Sequence, residues 1–309
     1  MTPSISNPLR IGTRSSPLAL AQAEMTKAAL LAAHGWDEAA VVLVPMLSSG
    51  DKIQDRPLAE IGGKALWTKE LERALIEREI DIAVHSMKDV ETVRAGLFGI
   101  VAMLPRADVR DRLIGAESIA ALPQGAKVGT SSPRRAAQLK ALRPDITTGS
   151  IRGNVATRLS KVENGEFDAT LLAAAGLARL GQGNIGTAIE TSEMLPAASQ
   201  GAIGIDYLVD RSEIAALMVP INHPATFACV MAERAFLEAL GGTCHSPVAA
   251  QAVWHGDVLT LQGEILREDG SEREQGSITC KPGDQLAPAL LARQLLDAAT
   301  PELRALFEG

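Results

Sequence analysis

The amino-acid sequence predicts an α/β protein with two similar doubly wound lobes and a small C-terminal α+β domain. Short apolar strands alternate with helices over the first third of the chain, and the same alternation restarts near Ala126. From about Pro224 the order changes to one long helix followed by three strand-like segments. Alternation is typical of mainly parallel sheets, whereas strands and helices in separate runs are typical of α+β domains. We expect the lobes at 1–104 and 105–199 and the third domain at 222–309.

The elements of the first lobe are marked by caps and apolar runs. A strand is predicted at 9–12, and a helix begins at Ser16 and Pro17 and ends at Gly35. The predicted apolar face of this helix comprises Leu18, Ala21, Met25, Ala28 and Ala32. The other predicted elements are a strand at 41–44, a helix at about 67–78 and a strand at 80–84. Residues 48–64 are long for a loop and are predicted to form a mobile cover.

The second lobe repeats this order, with predicted strands at 127–129, 145–148 and 169–174. Ser132 with Pro133 marks the start of one helix, and Asn154 marks the start of the helix that carries Arg158. The third domain follows with a helix at 224–240, strands at 249–254, 258–265 and 277–280, and a final helical region at about 284–307.

Composition argues against several classes of protein. Of the 309 residues, 46% are hydrophobic and 22% are charged, as in ordinary globular domains, so the chain is not predicted to be disordered. The net charge of -7 argues against general nucleic-acid binding. No apolar run reaches the length of about 18 residues that a membrane-spanning helix needs. Neither nucleic acid nor a membrane is therefore expected as a partner.

Three cysteines, Cys229, Cys244 and Cys280, bear on compartment and metal binding. An odd, small number of cysteines, with no apolar signal segment in residues 1–10, predicts a reducing, cytoplasmic location. Cys229 and Cys280 are interpreted as small buried residues. Neither CxxC nor HExxH occurs, and the adjacent Cys244 and His245 do not make a zinc site by themselves, so no metal is expected.

Basic residues are concentrated in the second lobe, where eight of them and only four acids lie between Arg134 and Arg179. Arg134 and Arg135 fall in the first turn of a predicted helix, where free N–H groups and the helix dipole already favour anions. Arginine also pairs with carboxylates through two parallel hydrogen bonds. The cluster therefore indicates either a site for a carboxylate ligand or a solvated basic surface.

Two single residues are candidates for chemistry. Asp89 follows the predicted strand at 80–84, at the sheet edge where ligands bind in open α/β folds, so it is either an acid–base group or a structural turn residue. His85, in the same segment, is interpreted as a hydrogen-bonded core histidine. Cys244 lies in a predicted loop and is either a nucleophilic thiol or an inert one.

The segment GQGNIG at 181–186 matches the GxGxxG pattern of dinucleotide-binding loops, with Asp206 further along the chain. That pattern is meaningful only between a strand and a helix. Here residues 177–180 separate it from the nearest apolar strand, and no full helix follows before Pro196. We therefore do not interpret it as a nucleotide site.

Ten short segments together resemble the hydroxymethylbilane synthase family, also called porphobilinogen deaminases. The resemblance extends from about Leu9 to Ala249, and its segments are 12–20 (GTRSSPLAL), 62–64 (GGK), 81–89 (DIAVHSMKD), 129–135 (GTSSPRR), 152–154 (RGN), 157–159 (TRL), 175–177 (AGL), 179–180 (RL), 200–202 (QGA) and 233–235 (ERA). It implies two lobes like those of periplasmic binding proteins, with about 200–221 returning to the first lobe. It also implies an enzyme, usually monomeric, that joins four porphobilinogen molecules head to tail with release of ammonia.

The resemblance also implies roles for single residues. Cys244 matches the cysteine that carries a dipyrromethane cofactor through a thioether, and Asp89 matches the catalytic aspartate, which also lies against the cofactor. The other positions that match cofactor-holding residues are Ser86, Lys88, Thr130, Ser132, Arg134 and Arg135. Positions that match residues gripping the acetate and propionate groups of substrate are Arg14, Ser16, Gln22, Arg152, Arg158 and Arg179. The chain departs from the family at Trp67, at Glu91 and at residues 243–247 (TCHSP).

Two other functions are consistent with parts of the sequence. A binding protein without chemistry could close two α/β lobes on a small anion, and a nucleotide-dependent oxidoreductase could use the glycine-rich segment at 181–186. Consumption of porphobilinogen with ammonia release distinguishes the enzyme from the first alternative, and measurable NAD binding would support the second.

Overall fold

The computed structural model describes residues 3–47, 65–241 and 246–307. The chain divides into two compact units, of which the first comprises Met1–Ala107 and Gly201–Phe227 and the second Asp108–Gln200 and Ala228–Gly309. The backbone thus leaves the first unit, returns to it after residue 200 and then enters the second unit again. The predicted cover at 48–64 and the cysteine Cys244 lie outside the described residues.

Five strands form the sheet of the first unit: β1 (Leu9–Arg14), β2 (Val41–Met46), β3 (Ile82–Ser86), β4 (Phe98–Met103) and β10 (Ile203–Leu208). Their order across the sheet is β2-β1-β3-β10-β4. β1, β2 and β3 run parallel, whereas β10 is antiparallel to both of its neighbours. The helices of this unit include α1 (Pro17–His34), α2 (Ala65–Ile76) and α6 (Ser212–Met218).

Helix α1 has the predicted ends but not the predicted buried face. Ser16 caps its first turn by accepting a hydrogen bond from Ala19 N, and Gly35 ends it in the left-handed conformation at φ 66°. The buried residues are Ala19, Gln22, Ala23, Thr26 and Leu30, so the predicted face was wrong. The helix is rich in alanine, which places apolar residues on both sides. Gln22 and Thr26 tolerate burial because both are hydrogen-bonded.

The second unit contains another five-stranded sheet, built from β5 (Asp111–Ile114), β6 (Lys127–Gly129), β7 (Thr147–Gly149), β8 (Ala169–Ala173) and β9 (Thr187–Ala188). The order is β7-β6-β8-β5-β9, with β6 parallel to β7 and β8 and β5 antiparallel to its neighbours. Helices α3 (Pro133–Leu142), α4 (Val155–Glu163) and α5 (Ala174–Arg179) accompany it. The side chains of Ser132 and Asn154 cap α3 and α4, as predicted.

The C-terminal part of the second unit is the predicted α+β domain. Its antiparallel sheet comprises β11 (Val248–His255), β12 (Val258–Leu266) and β13 (Arg273–Cys280), and its helices are α7 (Pro224–Leu240), α8 (Leu286–Ala298) and α9 (Pro301–Arg304). Phe236 of α7 lies so close to Gly263 of β12 that a Cβ there would approach its ring to 2.5 Å. Cys229 and Cys280 are both buried, which confirms their interpretation.

The two lobes and the C-terminal domain confirm the predicted fold class. The glycine-rich segment at 181–186 follows helix α5 and precedes strand β9. A dinucleotide-binding loop has the opposite order, strand before helix, so the structure gives this segment no such role. Among the described residues, no single helix is both long and apolar enough to cross a membrane, and one bent pair, Ser212–Ile221 with Pro224–Leu240, passes by length and composition only.

Candidate active site

The candidate acid Asp89 lies at the carboxyl edge of the first sheet. Strands β1 and β3 are parallel neighbours, so their last residues, Arg14 and Ser86, are at the same edge. Immediately after β3 the chain forms a short 3-10 turn, Met87–Asp89. Asp89 is half-buried, and within the described part of the chain its carboxylate has no hydrogen-bond or ion-pair partner. The Asp89 carboxylate therefore lies at the sheet edge, and its oxygens form no hydrogen bond with the other described side chains.

The turn that carries Asp89 is fixed by packing and by the main chain. Met87 is buried, its N–H donates to Ala202 O at 3.1 Å, and Val90 N–H donates to Met87 O at 3.2 Å. Gly204 of β10 leaves room for the Met87 side chain, because a Cβ there would lie 2.0 Å from the Met87 sulfur. The position of the turn consequently depends on β10 as well as on β3.

Two of the predicted site residues, Gln22 and Ser86, contact each other. Gln22 Nε2 donates to Ser86 Oγ at 2.8 Å, and Ser86 Oγ donates to Gln22 Oε1 at 3.0 Å. This pair ties helix α1 to the end of β3. Ser16, the third predicted polar residue on this side, has its side chain in the cap of α1.

A buried charged network adjoins the same strand and was not found by sequence analysis. His85 Nε2 lies 3.2 Å from a carboxylate oxygen of the fully buried Asp206 in β10, and Arg94 forms an ion pair with that same oxygen. Arg94 in turn pairs with Glu72 of α2 at 2.9 Å. Burial raises the pKa of Asp206, but His85 and Arg94 outweigh it and the pKa is lowered. His85 is therefore a buried residue beside a carboxylate, which agrees with its interpretation as a core histidine.

In the second unit, predicted cofactor positions lie where β6 ends and α3 begins. Thr130 is buried after β6, and its Oγ1 accepts a hydrogen bond from Ser132 N at 3.1 Å. Ser132 Oγ accepts from Arg135 N at 3.4 Å and so caps α3. Hydroxyl groups and the N-terminus of a ten-residue helix thus coincide, and both favour an anionic ligand.

Arg134 and Arg135 are buried on the carboxylate of Asp111, the first residue of β5. Arg134 Nη2 donates to Asp111 Oδ2 at 2.7 Å, and Arg135 Nη2 donates to Asp111 Oδ1 at 2.7 Å. Burial raises the pKa of Asp111, but the two guanidiniums lower it well below its ordinary value. For these two arginines the alternative of a solvated basic surface is wrong. Asp111 lies 23 residues before Arg134, so nothing local in the sequence indicates that it is the partner of these arginines.

The remaining predicted arginines are half-buried and follow other strands of the same sheet. Arg152 comes shortly after β7, and Arg158 lies on α4, where its Nε donates to Gly153 O at 3.0 Å. Arg179 is the last residue of α5, and burial lowers its pKa to about 10, so it remains charged at neutral pH. A carboxylate ligand binds more strongly to a guanidinium that is shielded from water than to a guanidinium that is exposed.

The fold and these two sheet edges define an α/β protein with a carboxylate on a fixed turn in the first unit and several guanidinium groups at strand ends and helix starts in the second. A family model described as "Porphobilinogen deaminase, dipyromethane cofactor binding domain" matches residues 9–216, and a second, "Porphobilinogen deaminase, C-terminal domain", matches 227–296. The chain belongs to the porphobilinogen deaminase family. Members of this family carry a dipyrromethane cofactor attached covalently through a cysteine.

Curated relatives agree over most of the chain. The "Porphobilinogen deaminase" of Sphingopyxis alaskensis is 57% identical over 307 residues, which cover 97% of both chains. That of Paracoccus denitrificans is 52% identical over 273 residues, or 87% of both chains. Among solved structures, the periplasmic aliphatic sulphonate binding protein SsuA from Escherichia coli aligns with a TM-score of 0.41 and 17% identity, covering 75% of this chain and 70% of that one.

The charges of the second unit fit a cofactor that bears carboxylates. Arg134 and Arg135 share the one carboxylate of Asp111, which balances only one of the two guanidinium charges in its immediate contact. A carboxylate of a bound group could pair with the other. Among the residues that the structure describes, no cluster of His, Cys, Asp or Glu could hold a metal ion.

Proposed function

We propose that the chain joins four porphobilinogen molecules head to tail on a covalently attached dipyrromethane primer and then releases hydroxymethylbilane by hydrolysis. Each addition breaks the bond from the aminomethyl carbon of the incoming molecule to nitrogen, which leaves as ammonia. It forms a carbon–carbon bond from that carbon to the free ring position of the pyrrole at the end of the chain, which loses a proton. The observation that carries the proposal is a half-buried carboxylate, Asp89, on a fixed turn in a chain that belongs to the porphobilinogen deaminase family.

Asp89 is the catalytic residue of this proposal. Loss of ammonia leaves a substrate pyrrole with a positive charge spread over its ring and methylene carbon. A carboxylate that is already in place stabilises such a developing cation without reorganisation, and it can accept a hydrogen bond from the pyrrole N–H. The anchoring of Met87 to Ala202 and its packing on Gly204 support this role, because they fix the turn before substrate arrives.

The arginines and hydroxyl groups bind the carboxylates. In this proposal the cofactor is held by Ser86, Lys88, Asp89, Thr130, Ser132, Arg134 and Arg135, and the substrate carboxylates by Arg14, Ser16, Gln22, Arg152, Arg158 and Arg179. Each added pyrrole unit brings an acetate and a propionate group, so the demand for guanidinium groups grows with every addition. The excess positive charge beside Asp111 supports the assignment of Arg134 and Arg135.

Cys244 is the proposed attachment point, and the bound dipyrromethane supplies the free pyrrole position that is extended first. Intact mass spectrometry of freshly purified protein tests this assignment. We expect a mass that exceeds the polypeptide by two linked pyrrole units and expect Cys244→Ser to lose that increment. The matched control is Cys229→Ser, which should keep it. An active protein whose mass equals the bare polypeptide would contradict the proposal.

We further propose that the protein is a cytoplasmic monomer with porphobilinogen as its small-molecule substrate. The small, odd number of cysteines supports a reducing compartment. Light scattering during size-exclusion chromatography tests the oligomeric state, and the expected mass is that of one 32.5 kDa chain with its cofactor.

A further inference from the structure

A continuous chain of buried polar side chains leads from Arg134 into the C-terminal domain. Arg134 Nη1 donates to Gln138 Oε1 at 2.8 Å, one turn further along helix α3. Gln138 Nε2 donates to Glu264 Oε2 on strand β12 at 3.1 Å, and the other oxygen of Glu264 lies 2.9 Å from Arg273 Nε on β13. Arg134, Gln138 and Glu264 are 4%, 2% and 0% exposed. The two links from Arg134 to Glu264 are therefore shielded from water, and hydrogen bonds to charged groups are strong in such surroundings.

Glu264 and Leu195 O together determine which way the Gln138 amide points, because Gln138 Nε2 donates to Glu264 at 3.1 Å and to Leu195 O at 3.0 Å. A carboxylate can only accept hydrogen bonds and a guanidinium can only donate them. Gln138 must therefore turn its N–H₂ group to Glu264 and its oxygen to Arg134. Nη1 of Arg134 is also held by Leu195 O at 2.9 Å, and Nη2 by Asp111. The orientation of the Arg134 guanidinium thus depends on an acid in another part of the fold.

The same hairpin packs directly on the main chain of helix α3. Gly270, in the turn between β12 and β13, has φ +73°, and a Cβ there would lie 2.5 Å from Ala141 N and 2.8 Å from Ala137 O. Lys140 Nζ donates to Glu268 O at 3.3 Å beside this contact. Because backbone meets backbone here, the distance between Glu264 and Gln138 is fixed by close packing as well as by the hydrogen bond.

We propose that Glu264 is a positioning residue for Arg134 and acts through Gln138. The inference rests on the proposed function, in which Arg134 holds a cofactor carboxylate. Glu264 touches neither cofactor nor substrate in this scheme. Together with Leu195 O it keeps the Gln138 amide in one orientation, so that the Arg134 guanidinium is held ready for a carboxylate in every round of addition.

Glu264→Gln tests the proposal, with Glu268→Gln as the control that removes a charge from an exposed position of the same hairpin. With an amide at 264, Gln138 keeps Leu195 O as an acceptor but loses its hydrogen bond to a charged group, so its oxygen is held less firmly against Arg134. We expect kcat, normalised to the fraction of chains that carry the cofactor mass, to fall about tenfold, the size expected for a misaligned hydrogen bond to a charged group. KM for porphobilinogen should stay within about twofold, because the substrate arginines are unchanged.

The double variant Glu264→Gln/Gln138→Glu separates positioning from general loss of stability. It exchanges the amide and the carboxylate, so that the hydrogen bond between positions 138 and 264 again includes a charged group, Arg134 faces a carboxylate oxygen, and the buried charge is conserved. We expect this variant to recover kcat to within about threefold of the parent protein.

Three outcomes would overturn the inference: a Glu264→Gln protein with parental kcat, a double variant as impaired as the single one, or an equal loss in Glu268→Gln. If Glu264→Gln does not fold, a folded but inactive double variant also overturns it. The parent protein separates this failure from that of the proposed function. A parent without cofactor mass or porphobilinogen turnover contradicts the proposed function, whereas an active parent with an unaffected Glu264→Gln variant contradicts the positioning role alone.

Discussion

At the scale of single residues, the site depends on how firmly a few polar groups are held. Asp89 has uncommitted oxygens among the described residues but lies on a turn that Met87 fixes by packing and hydrogen bonds. Gln22 and Ser86 hydrogen-bond to each other, and Arg134 and Arg135 both donate to the carboxylate of Asp111. A carboxylate that stabilises a transient cation must be held in place and must have oxygen atoms that are still available to accept a hydrogen bond.

Removing the Asp89 carboxylate should abolish most turnover without loss of the cofactor. For Asp89→Ala we expect kcat to fall by about 10²–10⁴-fold, the usual range for a positioned acid–base group. Intact mass should still include the dipyrromethane. The neighbouring acid variant Glu91→Gln serves as the control and should keep kcat within about threefold. Turnover of Asp89→Ala close to that of the parent would remove this residue from the mechanism.

At the scale of elements, caps and turns could be predicted from sequence, but the faces that pack could not. Ser16, Ser132 and Asn154 each act within one turn of their own position, so local chemistry identifies the helices that they begin. The buried face of α1 depends on Ser86, 64 residues beyond Gln22. Strands β4, β5 and β9 were not predicted, since short or irregular apolar runs carry little periodic signal.

The contact between the β12–β13 turn and helix α3 gives a prediction for stability. Gly270→Ala and Gly256→Ala both place a side chain at positive φ, +73° and +60°, but only the former meets backbone atoms within 4 Å. We expect Gly256→Ala to lower the free energy of unfolding by about 1 kcal/mol from backbone strain. Gly270→Ala should lower it by a further 1–3 kcal/mol or so from overlap with α3. Urea unfolding of both variants measures the difference, and equal losses would argue against the close contact.

At the scale of the whole molecule, the fold class could be predicted because strand–helix alternation is local in sequence, and family motifs, which are also local, indicate candidate site positions. The partners of the arginines could not be predicted. Asp111 lies 23 residues before Arg134, and Glu264 lies 126 residues after Gln138. Such pairs form only when the chain folds, and nothing in the composition of either segment indicates the other.

The buried triad of Asp111, Arg134 and Arg135 should make the molecule sensitive to acid. Its neighbours hold the pKa of Asp111 below that of the unfolded chain, so the stabilisation is present above about pH 4 and is lost as the pH falls further. Asp111→Asn should lower the free energy of unfolding at neutral pH by about 3–5 kcal/mol, because two guanidiniums lose their buried carboxylate.

Urea unfolding at pH 7 and at pH values below 4 measures this effect. The variant should lose less stability between those conditions than the parent does. The exposed Asp257→Asn serves as the control and should follow the parent at every pH. If the free energy of unfolding falls with pH equally in the parent and in Asp111→Asn, the triad is not the cause of the acid sensitivity.

The place of β10 has a consequence for synthesis on the ribosome. This strand lies between β3 and β4, yet it emerges about 100 residues after β4. At a translation rate of about 5–20 residues per second, β10 is synthesised roughly 5–20 s after β4. During that time the strand that belongs between β3 and β4 is missing from the sheet. Throughout that interval the turn bearing Asp89 lacks its anchor on Ala202, so this turn takes up its final position late in the synthesis of each polypeptide.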